Sequence, residues 1–339
     1  MDSDVSVLLH CAAWRGLLES QVQAELSESF NRRTDPSLER HIGEVWTERV
    51  SKQPWLFNGC KFRLHSFCLL ATSTPSSSRS PKHPHGTRSL PEDEEPEPRL
   101  TLRLGLTCYK DFLGTNWSNQ AWQLRRLGEA EFGDPLALLA QPLGVGAILR
   151  TDDSQVVFIR RSQRVAEAGG LLDIPGGHPE PKLVCERLGR AVREEQITVD
   201  MMQQRPVVSE LFASVCSEIR DEVNIPLSAL REPVLMGVAL NHTSAGRPSA
   251  EFYVSCSLTS DDVRRLYWKG GAEAHESTDI VFLSRREVLQ LSRSSPLWLE
   301  MCPSAKGAVL LYQTVKPDEE EHSKCHDNQL IVSDDGSKL

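Results

Sequence analysis

No two cysteines in this chain stand at C-x-x-C spacing, although there are nine of them. Neither a zinc site nor a disulfide framework is therefore signalled, and the thiols read as reduced and interior. Basic residues are in deficit: 38 Lys and Arg face 47 Asp and Glu, for a net charge of −9 and a pI near 5.6. That balance argues against a broad grip on nucleic acid, which depends on clustered cations. No apolar run approaches the length that crosses a bilayer, and Met1-Asp2-Ser3-Asp4 is acidic where a secretory signal is basic. A soluble intracellular protein, cytoplasmic or nuclear, with no membrane partner is the expectation. No internal repeat interrupts the chain.

What is present is enough sequence for a large core, since 339 residues can hold one elaborated domain or two. Two stretches lack the composition for a core. Residues 72–98 are dense in Ser and Pro and then acidic through Glu92-Asp93-Glu94-Glu95, and 316–339 is polar and charged. They read as a disordered exposed loop and a disordered tail. Alternating or β-branched runs predict strands at 62–69, 100–107, 144–149, 155–160, 234–240, 251–257 and 280–283. Helical periodicity predicts helices at 36–50, 119–126, 207–223, 260–268 and 304–313. Such a mixture suits an α/β/α sandwich.

The chemistry concentrates in one helix. Leu211, Val215, Ile219 and Val223 repeat every fourth residue on one flank, and Glu218 and Glu222 stand one turn apart on another. Asn224 is an acceptable left-handed cap and Pro226 forbids continuation. Upstream, the run Leu171-Leu172-Asp173-Ile174-Pro175-Gly176-Gly177 reads as a short strand entering a glycine turn. Two carboxylates on one helix face beside such a turn present hard oxygens suited to Mg²⁺. A second acidic run, Arg193-Glu194-Glu195-Gln196-Ile197, lacks the four-residue glutamate spacing, because Ile197 falls where an acid is needed. Residues 190–195 read instead as a solvated surface helix.

In this order, glycine pair, acidic helix and apolar stop resemble the Nudix hydrolases, whose signature ends R-E-U-x-E-E-x-G-U with U bulky and apolar. Glu218-Ile219 matches the first E-U, Asp221-Glu222 the acidic pair, and Ile225 the end. Ser217 replaces the arginine that in the family helps orient the glutamates, and Asn224 replaces the last glycine. Glu210 falls one residue late for the early glutamate, and a long insertion separates Gly177 from the helix. Further blocks resemble the divergent Nudix UDP-sugar diphosphatases. Among them are Pro54-Trp55-Leu56-Phe57, Lys61-Phe62-Arg63-Leu64-His65-Ser66, Thr243-Ser244-Ala245-Gly246-Arg247 and Cys302-Pro303-Ser304-Ala305-Lys306-Gly307.

The resemblance implies a Nudix α/β/α sandwich with a mixed sheet over 142–315. Residues 1–141 would form an α+β extension packed on it. It implies Mg²⁺-dependent cleavage of UDP-glucose and UDP-galactose to UMP and sugar 1-phosphate, with Mn²⁺ as a possible substitute. The metal ligands and catalytic residues would be Glu218 and Glu222, with Asp221 and Glu210 as outer partners. It also implies substrate contacts at Phe57, Tyr109, Arg161, Ala166, Asp173, His178, Glu180 and Ser304.

By their own chemistry, Phe57 or Tyr109 can stack on a base, and Asp173 or Glu180 can accept bonds from sugar hydroxyls. Arg160, Arg161 and Arg164 all follow a predicted strand and can clamp phosphate. Pro303-Ser304 reads as an N-capped helix start that favours an anion. For the general base, Glu222, Glu273 and Glu276 remain alternatives. Two rival readings are an inactive Nudix-fold binding module and a hydrolase of another nucleoside diphosphate derivative such as ADP-ribose. The expected partner is a small-molecule nucleotide sugar, with no nucleic acid and the oligomeric state left open.

Overall fold

The structure, a computed structural model, describes residues 3–70, 99–163, 168–273 and 275–319. In its first part the elements are β1 (Val5–His10), β2 (Val22–Leu26), α1 (Pro36–Lys52), β3 (Cys60–Leu69), β4 (Leu100–Cys108), α2 (Tyr109–Gly114) and α3 (Ala121–Phe132). There follow β5 (Gly144–Arg150), β6 (Gln155–Arg161), β7 (Leu172–Asp173), β8 (Gly176–Gly177), α4 (Pro181–Arg187) and α5 (Gln204–Val223). The chain continues through β9 (Val234–Asn241), β10 (Arg247–Ser255), α6 (Ser260–Lys269), β11 (Ser277–Ser284), α7 (Arg285–Gln290), α8 (Pro296–Leu299) and α9 (Pro303–Val315).

A mixed sheet runs in the order β1-β9-β10-β5-β6-β11, with β5 and β10 parallel and the other pairs antiparallel. Alternation decides its two faces. Val145, Ala147 and Leu149 of β5 join the core that α5 covers, while Ile148 joins the core under α9. The α5 side also takes in Phe62, Leu64, Leu100, Leu102 and Leu104 of a smaller sheet ordered β2-β4-β3. Helices on both faces of one mixed sheet make the expected α/β/α sandwich.

Helix α5 forms for the reasons its sequence gives. Leu211, Val215, Ile219 and Val223 are all buried, and Asn224 takes the left-handed conformation with φ 65° while its N–H closes on the Arg220 carbonyl at 2.9 Å. Helix α1 is capped by Asp35, whose carboxylate accepts from the amides of Ser37 and Leu38.

The seven predicted strands and five predicted helices all form, most of them a residue or two longer. Among the described residues, besides the two-residue β8 in the glycine turn, two strands were not expected. β1 pairs with β9 as the sheet edge but breaks register between Val7 and Leu9, which spoils its alternation, and β2 is only five residues long. Because β1 comes from the N-terminal region, strand pairing crosses the expected boundary at residue 142. The 190–195 segment forms no α-helix; a 3₁₀ turn at Glu194–Gln196 is its only helical part.

The expected loop 72–98 lies outside the described residues, and its flanks meet where the Leu70 amide donates to the Arg99 carbonyl at 2.8 Å. The expected tail also lies outside from residue 320 onward. Its first residues are held, because the Asp318 carboxylate accepts from Arg285 Nε at 2.9 Å and from the Tyr312 hydroxyl at 2.7 Å. Among the described residues no helix is long and apolar enough to cross a membrane.

Candidate active site

Strands β5 and β6 pair only at their hairpin end, through Leu149 with Val157 and Arg150 with Val156, and then diverge. The gap is filled by the short strands on either side of Pro175: β7 pairs with β6 and β8 with β5. The glycine turn is thereby wedged into the sheet against α5. A methyl group built on Gly177 would overlap the Glu218 carboxylate, and one on Gly176 would overlap the Val145 carbonyl. Only glycine lets backbone and carboxylate approach so closely.

Behind this turn stand the helix glutamates. Glu222 is buried and its Oε2 accepts from the Gly176 amide at 2.9 Å. Burial, reinforced by the neighbouring Glu218, pushes the Glu222 carboxyl well above its ordinary range. Burial and then Glu273 push Glu218 up to about 7, while Lys61 opposes the shift. The loop before β11 closes the group. Its Glu273 amide donates to the Asp221 carbonyl at 3.0 Å, and its Glu276 carbonyl accepts from Ser162 at 2.7 Å. Ligand oxygens of Glu222, Glu273 and Glu276 all lie within 4.8 Å of one another.

Carboxylates gathered this tightly repel each other, and desolvation adds to the cost; a cation relieves both. The donor set is all hard oxygen, with a cradle at Gly177 that a side chain would fill. These residues fit a hard divalent cation.

The turn also faces a cavity of about 730 Å³. Tyr109, Arg161, Asp173, His178 and Ser304, expected as substrate contacts, all line it. Asp173 is their hub: Oδ2 accepts from Arg161 Nη1 at 2.9 Å, and Oδ1 accepts from the Ser304 hydroxyl at 2.9 Å. Burial, with Lys61 and Arg247 nearby, holds the His178 imidazole well below its usual pKa, so it is neutral at pH 7.

Other expected residues are elsewhere. Phe57 is 69% exposed and does not line the cavity, although its neighbours Trp55 and Leu56 do. Glu180 lies outside the lining too, 3.8 Å from the cavity residue Lys61. Ala166 and Arg164 fall outside the described residues. Arg160 turns to Glu300 at 3.0 Å and to the Gly170 carbonyl at 3.0 Å, since adjacent strand residues point to opposite faces.

Ser304 is not a cap. Helix α9 starts at Pro303 after Cys302, which makes no side-chain cap bond, and the Ser304 hydroxyl is spent on Asp173. Glu210 does not join the acidic group either. It is buried, accepts from the Glu180 amide at 3.1 Å and pairs with Arg187 at 2.7 Å, tying the turn and α4 to α5. The Asp221 carboxylate is held by Arg220. Lys61, Arg247 and Glu251 also line the cavity and were missed. Glu251 only opens a predicted strand, whereas Lys61 and Arg247 stand in blocks that carry the family resemblance without being singled out there.

No protein-family model matches the chain. It is 49% identical over 316 residues to a Bos taurus protein named uridine diphosphate glucose pyrophosphatase NUDT22, covering 93% of this chain and 99% of the relative. The Homo sapiens protein of that name is likewise 49% identical, over 93% of this chain and 94% of its own. Nudix hydrolase 9 of Arabidopsis thaliana is 33% identical over 87% of each chain. Among solved structures, a Nudix hydrolase from Alicyclobacillus acidocaldarius aligns over 52% of this chain and 91% of its own, at 12% identity and a TM-score of 0.33. The chain belongs to the Nudix hydrolase family, in the branch of its relatives named uridine diphosphate glucose pyrophosphatase NUDT22.

Proposed function

We propose that this chain hydrolyses UDP-sugars such as UDP-glucose and UDP-galactose, in a Mg²⁺-dependent reaction that gives UMP and the sugar 1-phosphate. The observation that carries the reading is the pair of helix glutamates, half-buried Glu218 and buried Glu222, packed against Gly176-Gly177, which line the cavity. The near full-length relatives at 49% identity support the choice of substrate.

Glu222 would hold the metal with Glu273 and Glu276, whose ligand oxygens lie within 4.8 Å of one another, and Glu218, one turn earlier on α5, would complete the oxygen set; Mn²⁺ suits the same ligands. When bound, the ion shields the diphosphate charge and acidifies a water. Glu276 is the carboxylate of the set that lines the cavity, and it takes the proton from the attacking water. Arg161 and Lys61 face the diphosphate oxygens, and the neutral His178 donates to one of them. Asp173 and Ser304 bind substrate hydroxyls, and Tyr109 stacks on the base. Glu180, 3.8 Å from Lys61, is near enough to add to the substrate contacts, and Phe57 is left out of them.

The test is product release from UDP-glucose with and without Mg²⁺, with ADP-ribose alongside. We expect metal-dependent UMP and glucose 1-phosphate. Glu222→Gln should lower kcat at least about a hundredfold while leaving the fold intact. Near-normal turnover in Glu222→Gln would refute the metal assignment, and faster turnover of ADP-ribose would refute the substrate. Binding of UDP-glucose with no turnover would make the chain a binding module.

A further inference from the structure

Glu251 occupies the middle of β10, a central strand, and is wholly buried; neither carboxylate oxygen makes a well-formed hydrogen bond, and the Ser249 hydroxyl two residues back is the side-chain donor that interacts with it. It also lines the cavity. The sheet keeps room for it. Its cross-strand neighbours are Gly237 on β9 and Gly146 on β5, and a methyl group built on Gly146 would come within 2.6 Å of Glu251 Oε2. The carboxyl therefore lies over Gly146, toward the segment that carries Asp173 and Ile174, beside which Gly146 also packs.

A carboxyl held in the interior with no well-formed hydrogen bond lowers stability, and an apolar side chain would fill this place at less cost. A group kept there and aimed into a substrate cavity is suited to a ligand.

The cavity is divided by chemistry. Toward the start of β10, Arg247 lies over the Phe112 ring, 5.5 Å from its centroid, with Tyr109 and Trp117 beside that ring. Glu251 is four residues further, roughly 13 Å along the strand. At that end the cavity presents Asp173, Arg161, Ser304 and Ser249 instead. A planar base favours the aromatic end, and a polyhydroxyl ring favours the polar one.

We propose that Glu251 binds the sugar half of the nucleotide-sugar substrate, at the polar end of this cavity. The inference rests on the UDP-sugar reading above. The groups facing the carboxyl are Ser249 and Arg247 on its own strand and Asp173 on β7. Burial and Asp173 push it up to about 8 against the opposing effects of Ser249 and Arg247. At neutral pH it therefore offers one donor and one acceptor. A sugar hydroxyl offers the same pair and satisfies both.

The experiment compares UDP-glucose turnover, and product inhibition by UMP, in the parent, Glu251→Gln and Glu251→Met. Methionine keeps the length and removes the polar atoms. We expect Glu251→Met to raise KM for UDP-glucose about tenfold with little change in kcat. The UMP inhibition constant should stay within about twofold, because UMP carries no sugar to lose. Glutamine, which keeps a donor and an acceptor, should stay within about twofold of the parent KM. Both variants should melt no lower than the parent, which a purely structural carboxyl would not allow. An unchanged KM in Glu251→Met would overturn the inference, and so would UMP inhibition that weakens in step. A parent protein that does not cleave UDP-glucose would instead overturn the substrate reading beneath it.

Discussion

Replacing Glu218 by glutamine should make the metal-free protein more stable while removing its response to Mg²⁺. Glu218 packs against Gly177 among Glu222, Glu273 and Asp221, and without a cation its carboxyl is pushed up to about 7 from an ordinary 4.5. The unfolded chain gives up this proton near 4.5, whereas the folded chain keeps it to about 7. Below pH 4.5 both states are protonated and nothing is lost. Between 4.5 and 7 the unfolded state gains, so stability falls as pH rises, and above 7 the full penalty stands.

At about 1.4 kcal/mol per pH unit that interval corresponds to about 3.5 kcal/mol, which the partial exposure of Glu218 brings to about 3 kcal/mol. Glutamine removes the charge at nearly constant shape, and its Oε can still accept from the His178 amide. In EDTA at pH 8, Glu218→Gln should exceed the parent by up to about 3 kcal/mol in denaturant melts, and at pH 4.5 the two should coincide. With Mg²⁺ at pH 8 only the parent should gain, because ligand binding to the folded state adds stability by mass action. A variant less stable than the parent in EDTA at pH 8, or one that keeps the parent's Mg²⁺ response, would refute the reasoning.

Gly177→Ala should lower turnover at fixed Mg²⁺ about ten- to hundredfold, since its methyl displaces the Glu218 carboxylate; raising Mg²⁺ in the assay should recover part of the loss. Glu210→Ala should cost about 1–3 kcal/mol in denaturant melts, because it leaves the Glu180 amide without its acceptor and Arg187 without its ion pair. Replacing residues 71–98 by a short turn should leave UDP-glucose turnover unchanged, since Leu70 and Arg99 already meet in a hydrogen bond; a collapse in melting temperature would refute this.

Local regularity made much of this protein legible. Helix α5 could be read because its apolar residues recur every fourth position and Asn224-Ile225-Pro226 stops it, and Glu218 and Glu222 came with it as an i,i+4 pair. The interior strands were legible for the same kind of reason, as runs of β-branched residues. Edges were not: β1 breaks its alternation at a register shift, and β2 is too short to show a period. Ser304 illustrates a local rule overruled. Its place after Pro303 suggested a cap, yet its hydroxyl binds Asp173, 131 residues away.

The sequence by itself determined the fold class, the acidic helix and its glutamates one turn apart, because helix and strand periods and caps act over a few residues. Tertiary structure alone decided which further groups join them. Glu276 reaches Glu222 only because the loop before β11 is latched to the end of α5. Arg161 rather than Arg160 faces the cavity because strand pairing chooses the face. Glu251 meets the cavity only where β10 lies beside Gly146. Contacts between residues far apart in the chain carry no period, and only the packed chain brings them together.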